Sequence, residues 1–136
     1  MSEKTFHVEI VTPEALKYEG EITLLEVPGV EGQMGILANH APLLSLLEPG
    51  VLHYRSRGLD YRMAVGEGFV KVAQNRAVCL VDVAERPDEV DAQAAGREAS
   101  ELASLLSRPA SAEEREVLRR RLELARARLR VARESG

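Results

Sequence analysis

At 136 residues, 45% hydrophobic and 29% charged, with a formal net charge of −4, the chain suits one ordinary globular domain, or one compact domain with an appendage, and is too short for two full-sized cores. No stretch approaches 18 uncharged apolar residues and the opening MSEKTFHVEIV has no signal-like apolar run, so the expectation is a cytosol-side protein with no span of its own. The single cysteine, Cys79, excludes an internal disulfide and a thiolate zinc cluster, and reads as a small apolar residue inside a strand.

The first half carries period-two patterning. In FHVEIV (6–11), Phe6, Val8 and Ile10 oppose His7 and Glu9, the alternation of a half-buried strand. EITLLEV (21–27) follows, with Gly20 read as the preceding turn. Residues 27–52, VPGVEGQMGILANHAPLLSLLEPGVL, then concentrate four glycines and three prolines around two short apolar runs, a dense block of turn chemistry. GVLHYRSR (50–57), LDYRMAV (59–65), GFVKVA (68–73) and RAVCLVDVA (76–84) read as further strands, divided by Arg57-Gly58, Gly66 to Gly68 and Gln74-Asn75. Short strands at this spacing predict an antiparallel β-sandwich or barrel over residues 1–86.

After residue 90 the period becomes helical. Asp91 is placed to cap a first helix whose inner stripe is Ala95, Ala99, Leu102 and Leu106. Pro109 in SRPAS stops it. Ser111 and Glu114 have the spacing of a capping box for a second helix with stripe Leu118, Leu122, Ala125, Leu129 and Ala132. A link of about four residues makes the pair an antiparallel α-helical hairpin over 87–136. Its seam of alanine against leucine buries little apolar area, so the hairpin is expected to depend on docking to another surface.

Charge is uneven. Residues 1–86 hold 8 basic and 12 acidic side chains, 87–110 hold 2 and 5, and 111–136 hold 8 and 5, the last eight all arginine. That helix suits carboxylates or phosphates held by a planar fork, although a solvated face laced with Glu and Arg has the same signature. His7, His40 and His53 share no helix face, so metal binding and histidine catalysis are not expected. No phosphate-cradling, zinc-protease or nucleophile motif occurs, and an acidic strand half without a basic aromatic face argues against nucleic acid. Chemistry alone indicates a binding or interaction protein.

The run GVEGQMGILANHAPLLSLLEPGVL resembles the G-x-x-G-x-x-G-I-L-x-x-H-x-P-L segment of the epsilon subunit family of bacterial and plastid F-type ATP synthases. VEIVTPE, AVGEGFVKVAQNRAVCLVDVAER and LARARLRVA match the same family in order. The resemblance implies a non-catalytic central-stalk rotor subunit, partnered by the gamma subunit and the c-ring and transiently by the alpha and beta subunits. It also implies a peripheral position on the cytoplasmic face of the bacterial plasma membrane, or on the thylakoid membrane for a plastid protein, reached only through the c-ring. The dense segment would be a compact loop and strand pair facing the c-ring through Glu31, Gln33, His40 and Pro42. Gly29, Gly32 and Gly35 would allow its tight turns at positive φ. Gln33 departs from the acidic residue common in the family, and Ala38-Asn39 from the usual Pro-Gly. The hairpin would be a regulatory element whose Arg115, Arg119, Arg126 and Arg133, at intervals of four and seven, approach an acidic segment of beta and hinder ATP hydrolysis. Some members bind ATP through [I/L]-D-x-x-R-A. Here Val90, Asp91 and Ala95 fit but Ala94 stands where the arginine would be, so no ATP ligand and no other cofactor is expected. Two other readings fit the residues: an adaptor sandwich with a coiled-coil arm for another partner, and a small ligand-binding sandwich or enzyme, which would need convergent polar groups that the sequence does not offer.

Overall fold

The computed structural model describes residues 4–135, with side chains placed through Arg133. Ten strands come first: β1 (Phe6–Val11), β2 (Leu16–Ile22), β3 (Leu24–Gly29), β4 (Gly32–Ile36), β5 (Leu43–Leu47), β6 (Gly50–Ser56), β7 (Leu59–Val65), β8 (Gly68–Ala73), β9 (Arg76–Val81) and β10 (Ala84–Glu85). A short 3-10 turn, Pro87–Glu89, leads to α1 (Ala92–Leu106) and α2 (Ala112–Ser135). Hydrogen bonding runs in the order β10-β7-β6-β3-β5-β8-β9-β1-β2, with β4 attached to β3. Between β3 and β5 the ladder narrows to one pair, Gly29 with Leu47. The strands therefore fold into two facing layers, β10-β7-β6-β3-β4 and β5-β8-β9-β1-β2. Tyr18 of one layer stacks on Tyr54 of the other at 4.4 Å between ring centroids, and Tyr54 on Tyr61 at 5.1 Å.

Alternation decides what fills the space between the layers. Phe6, Val8 and Ile10 of β1 face inward with Leu25, Leu52, Met63 and Val70, all buried. Cys79 is fully buried among them, and burial pushes its thiol up to about 12. Two hairpins use two-residue turns with both residues at positive φ, Arg57 and Gly58 (54° and 78°) and Gln74 and Asn75 (52° and 60°). Such turns match the right-handed twist of the flanking strands.

Four expectations need correction. EITLLEV is not one strand: it spans the end of β2 and the start of β3, broken at Thr23, whose N–H donates to the Arg55 carbonyl at 2.8 Å while the chain crosses between layers. Gly20 is no turn but a strand residue opposite Val8. The dense segment 27–52 holds two complete strands as expected, β4 and β5, but both pair with β3 and not with each other. Of the three glycines expected at positive φ, only Gly32 adopts it (125°), while Gly29 and Gly35 lie inside β3 and β4.

The sheet ends at Glu85 and the first helical turn begins at Pro87. Asp91 Oδ1 accepts from Ala94 N at 3.0 Å as the N-cap of α1. Ser111 Oγ accepts from Glu114 N at 3.1 Å. The reciprocal half of the box differs from expectation, because the Glu114 carboxylate takes the Ser111 hydroxyl at 3.0 Å. The two helices pack along the expected seam, with Ala95, Leu102, Leu122 and Ala125 buried. A second α2 face, Ala127 and Val131, is also buried. It sits on Ala64 of β7, with Val51 and Val90 beside it, so the hairpin lies against the outer face of the β6-β7 layer.

Candidate functional site

The residues expected to form one partner-facing loop lie at two ends of the sandwich. Glu31 is exposed at the tip of the β3-β4 hairpin, and Gln33, exposed in β4, donates from Nε2 to the Val51 carbonyl at 3.5 Å. Gln33 lines a cleft shared with Glu48, Glu123, Ala127 and Arg130, so it borders the docked α2. His40 and Pro42 fall beyond the far end of β4. There Asn39, at φ 63°, donates its N–H to Asn75 Oδ1 at 2.7 Å, and His40 Nδ1 donates to the Ala41 carbonyl at 2.7 Å. The five residues of β4, Gln33 among them, carry the chain about 15 Å from the Glu31 tip to the turn before His40, at the rise of a β-strand.

The opposite layer presents an apolar row. Side chains alternate along β5, β8, β9 and β1, so the cross-strand partners Leu46 with Phe69, Phe69 with Leu80 and Leu80 with Val11 point outward, and a register shift at Ile10 and Val11 brings the exposed Leu16 opposite Val11 beside them. Five strands at about 4.8 Å make a row roughly 19 Å long. Leu46 is 65% exposed and Leu16 54%, and Leu44, one step along β5, is 69% exposed. Val30 adjoins the row through its N–H to the Leu46 carbonyl at 3.2 Å. Between the edges of β4 and β5 a groove of about 470 Å³ is lined by Val30, Met34, Leu44 and Leu46. Burying one exposed leucine contributes about 1.5 to 3 kcal/mol, so this row can anchor a partner. A signal was legible: in LLSLL the set Leu44 and Leu46, opposite in alternation to the buried Leu47, is all leucine, leaving the strand no polar outer face.

The four α2 arginines have separate tasks. Arg115 Nη1 donates to the Leu106 carbonyl at 2.9 Å and closes the C-terminal end of α1. Arg119 pairs with Glu116 at 2.7 Å and with Glu48 of the sandwich at 3.4 Å. The Glu116 carboxylate raises the Arg119 pKa and is itself held low by that guanidinium. Arg126 pairs with Glu123 at 3.3 Å, and Arg133 is exposed. Sequence reasoning missed the stronger ties to the sandwich. Arg128 Nε lies 2.6 Å from Glu85 Oε1, each side chain 24% exposed, and Arg120 lies 3.2 Å from Glu67. The missed signal was the second stripe, Ala127 and Val131, four apart.

In the ATP-motif positions Val90 packs on the hairpin-sandwich cluster, Ala95 is buried, and the Asp91 carboxylate is engaged in capping. Arg97 is exposed one turn on. The histidines stay apart. His53 Nδ1 sits 2.6 Å from Glu26 and Nε2 2.8 Å from Asp60, which also takes Arg55 at 2.9 Å. Hydrogen bonds from His53 and Arg55 hold Asp60 below its ordinary range. Both ring nitrogens thus face carboxylates rather than a nucleophile. Among the described residues no helix is long and apolar enough to cross a membrane.

Residues 5–87 match the family described as ATP synthase, Delta/Epsilon chain, beta-sandwich domain. The ATP synthase epsilon chain of Syntrophomonas wolfei is 47% identical over 92 residues, covering 67% of each chain. That of Pelotomaculum thermopropionicum is 39% identical over 104 residues, covering 74% of this chain and 78% of the relative. Among solved structures, a chain of the Euglena gracilis mitochondrial ATP synthase (OSCP/F1/c-ring) superposes with a TM-score of 0.79 at 17% identity, over 99% of this chain and 83% of that one. A chain of the Tetrahymena thermophila mitochondrial ATP synthase central stalk and c-ring gives 0.53 at 18% identity, over 65% and 72%. At these identities the likeness is one of fold, and it extends through the helical hairpin in the first case.

Proposed function

The chain belongs to the ATP synthase delta/epsilon chain family, and from that premise we infer that it is a non-catalytic, epsilon-type rotor subunit, docked on a gamma subunit through the outer face of β5-β8-β9-β1-β2. The observation that carries the docking is the apolar row Leu46, Phe69, Leu80, Val11 and Leu16, with Leu44 beside it. A row this wide and this exposed is covered in a working assembly, because large contiguous apolar patches mark interaction sites. A sandwich suits torque transmission, since its hydrogen-bonded ladders resist shear. The β3-β4 tip with Glu31 and Gln33 is proposed to meet the c-ring on the cytoplasmic side of the membrane. The hairpin, held by small apolar contacts and partly exposed ion pairs, is proposed to detach and bring its arginines to an acidic segment of beta, hindering ATP hydrolysis. ATP itself is not proposed as a ligand, because Asp91 is committed to the helix cap.

The test combines binding and hydrolysis with a matching catalytic complex that lacks its own epsilon. Leu46→Glu places a charge at the β5 end of the row, beside Leu44, and its affinity for gamma is expected to fall at least tenfold while its melting temperature holds, because Leu46 is exposed. Full-length protein is expected to suppress hydrolysis, and a chain ending after Glu85 to bind without suppressing it. Undiminished binding of the Leu46 variant would refute the docking face. Equal suppression by the truncated chain would refute the hairpin role.

A further inference from the structure

On the outer face of β1 and β2, beside the end of the apolar row at Val11 and Leu16, one histidine is set among three carboxylates. The antiparallel register places His7 opposite Glu21 and Glu9 opposite Glu19, and Phe6, Val8 and Ile10 turn inward. These four outward side chains therefore occupy the corners of one two-by-two block, where cross-strand and diagonal neighbours are within reach. His7 Nε2 lies 2.9 Å from Glu19 Oε2 and 3.9 Å from Glu9 Oε1. One ligand atom from each of these three residues lies within 4.8 Å of the other two. The other ring nitrogen, Nδ1, faces Glu21 at 3.8 Å.

From this geometry we propose that His7, Glu9 and Glu19 form a surface site for a divalent d-block cation such as Zn²⁺, with Glu21 orienting the imidazole. A tetrahedral Zn²⁺ with bonds of about 2.0 to 2.2 Å needs donor atoms about 3.3 to 3.6 Å apart. Opening the His7 to Glu19 distance and closing the His7 to Glu9 distance by a few tenths of an ångström brings both into that range, and the Glu9 and Glu19 oxygens, within 4.8 Å of one another, reach it by rotation of their side chains. The imidazole and the two carboxylates supply three donors, and water completes the set. With Nε2 on the metal, the Nδ1 proton points at Glu21, the carboxylate-histidine-metal arrangement that fixes the tautomer and raises ligand basicity. Charge favours a cation as well. Among the described residues the cation paired with these carboxylates is Arg76, on Glu9 at 3.3 Å, so three carboxylates share one guanidinium. The ion would tie β2, the last strand in the sheet order, to β1.

The experiment is a Zn²⁺ titration of the full chain by calorimetry in a non-chelating buffer at neutral pH, with Co²⁺ absorption reporting the coordination geometry. One saturable site is expected. His7→Ala and, as a milder second variant, Glu19→Gln lower the affinity at least tenfold, and Glu21→Ala about tenfold through loss of the orienting carboxylate. Arg76→Ala, which removes a competitor for Glu9, tightens binding. His40→Ala, a distant control, leaves it unchanged. Absence of saturable binding, retention of wild-type affinity in both His7→Ala and Glu19→Gln, or an equal loss in His40→Ala would overturn the proposal.

Discussion

Glu85→Ala removes the sandwich half of the shortest tie between the hairpin and the sheet while leaving every α2 side chain in place. Arg128 Nε lies 2.6 Å from Glu85 Oε1, and its Nη1 is 4.0 Å from Glu98 of α1, too far to replace what is lost. A hydrogen bond to a charged group contributes about 1.5 to 3 kcal/mol when solvent is excluded. With each side chain 24% exposed, solvent screening brings the expected loss to about 1 to 2 kcal/mol. The remaining ties under α2 are Ala127 and Val131 on Ala64 and Val51, small side chains, and the more exposed ion pairs of Arg120 with Glu67 and Arg119 with Glu48, none of which replaces what is lost. The docked-to-undocked ratio should therefore fall about 5-fold to 30-fold. Native-state hydrogen exchange measures it directly: α2 amides around Arg128 lose protection by that factor, and β8 and β9 amides do not change. A double-mutant cycle with Arg128→Ala should return a coupling of about 1 to 2 kcal/mol. Coupling below about 0.3 kcal/mol, or an equal loss of protection in β8 and β9, would refute the reasoning. If the hairpin is the inhibitory arm, the same variant suppresses hydrolysis more strongly than the parent chain, because more hairpins are free.

Two further predictions concern the sandwich and its junction. A Cβ on Gly68 would collide with the Leu80 carbonyl oxygen and come within 2.7 Å of Val81 Cα, both backbone, whereas one on Gly35 meets nothing within 4 Å; Gly68→Ala should therefore cost at least about 3 kcal/mol in denaturant unfolding and Gly35→Ala less than about 1 kcal/mol, and equal costs would contradict the packing of β8 on β9. Glu89 is held below the ordinary glutamate value of 4.5, first by the Arg86 backbone N–H and then by Lys17. Its folded pKa is thus the lower one, so its contribution is complete above the unfolded value near 4.5 and is lost as pH falls through the folded value. Melting curves of Glu89→Gln and the parent should differ by a constant amount above that range and converge below it, and a gap that persists into strong acid would assign the effect to shape rather than charge.

Local pattern made much of this protein legible. Period-two alternation identified β1, β7, β8 and β9, positive-φ turns fell at Arg57-Gly58 and Gln74-Asn75 as their residue types required, and Asp91 and Ser111 marked both helix starts. The misreadings share one cause. Gly20 looked like a turn and EITLLEV like a single strand because the decision there depends on partners distant in sequence, Val8 for Gly20 and Arg55 for Thr23. The expected loop from Glu31 to Pro42 was likewise divided by β4, which runs along β3 and so carries its two termini to opposite ends of the sandwich.

The sequence by itself determined most strand segments, both helices, two hairpin turns, both helix caps and the family to which the ordered motifs belong, because those properties depend on neighbours within about four residues. Tertiary structure alone decided that leucines from β5, β9 and β2 line up in one outward row, that Arg128 meets Glu85, and that three carboxylates surround His7. Each of these is fixed by register between strands, or by which face of α2 meets the sheet. The parallel pairing of β1 with β9 joins residues nearly 70 positions apart, as His7 with Arg76. A one-residue slip there would turn the outward side chains of β1, His7 and Val11 among them, inward, and no local pattern records that choice.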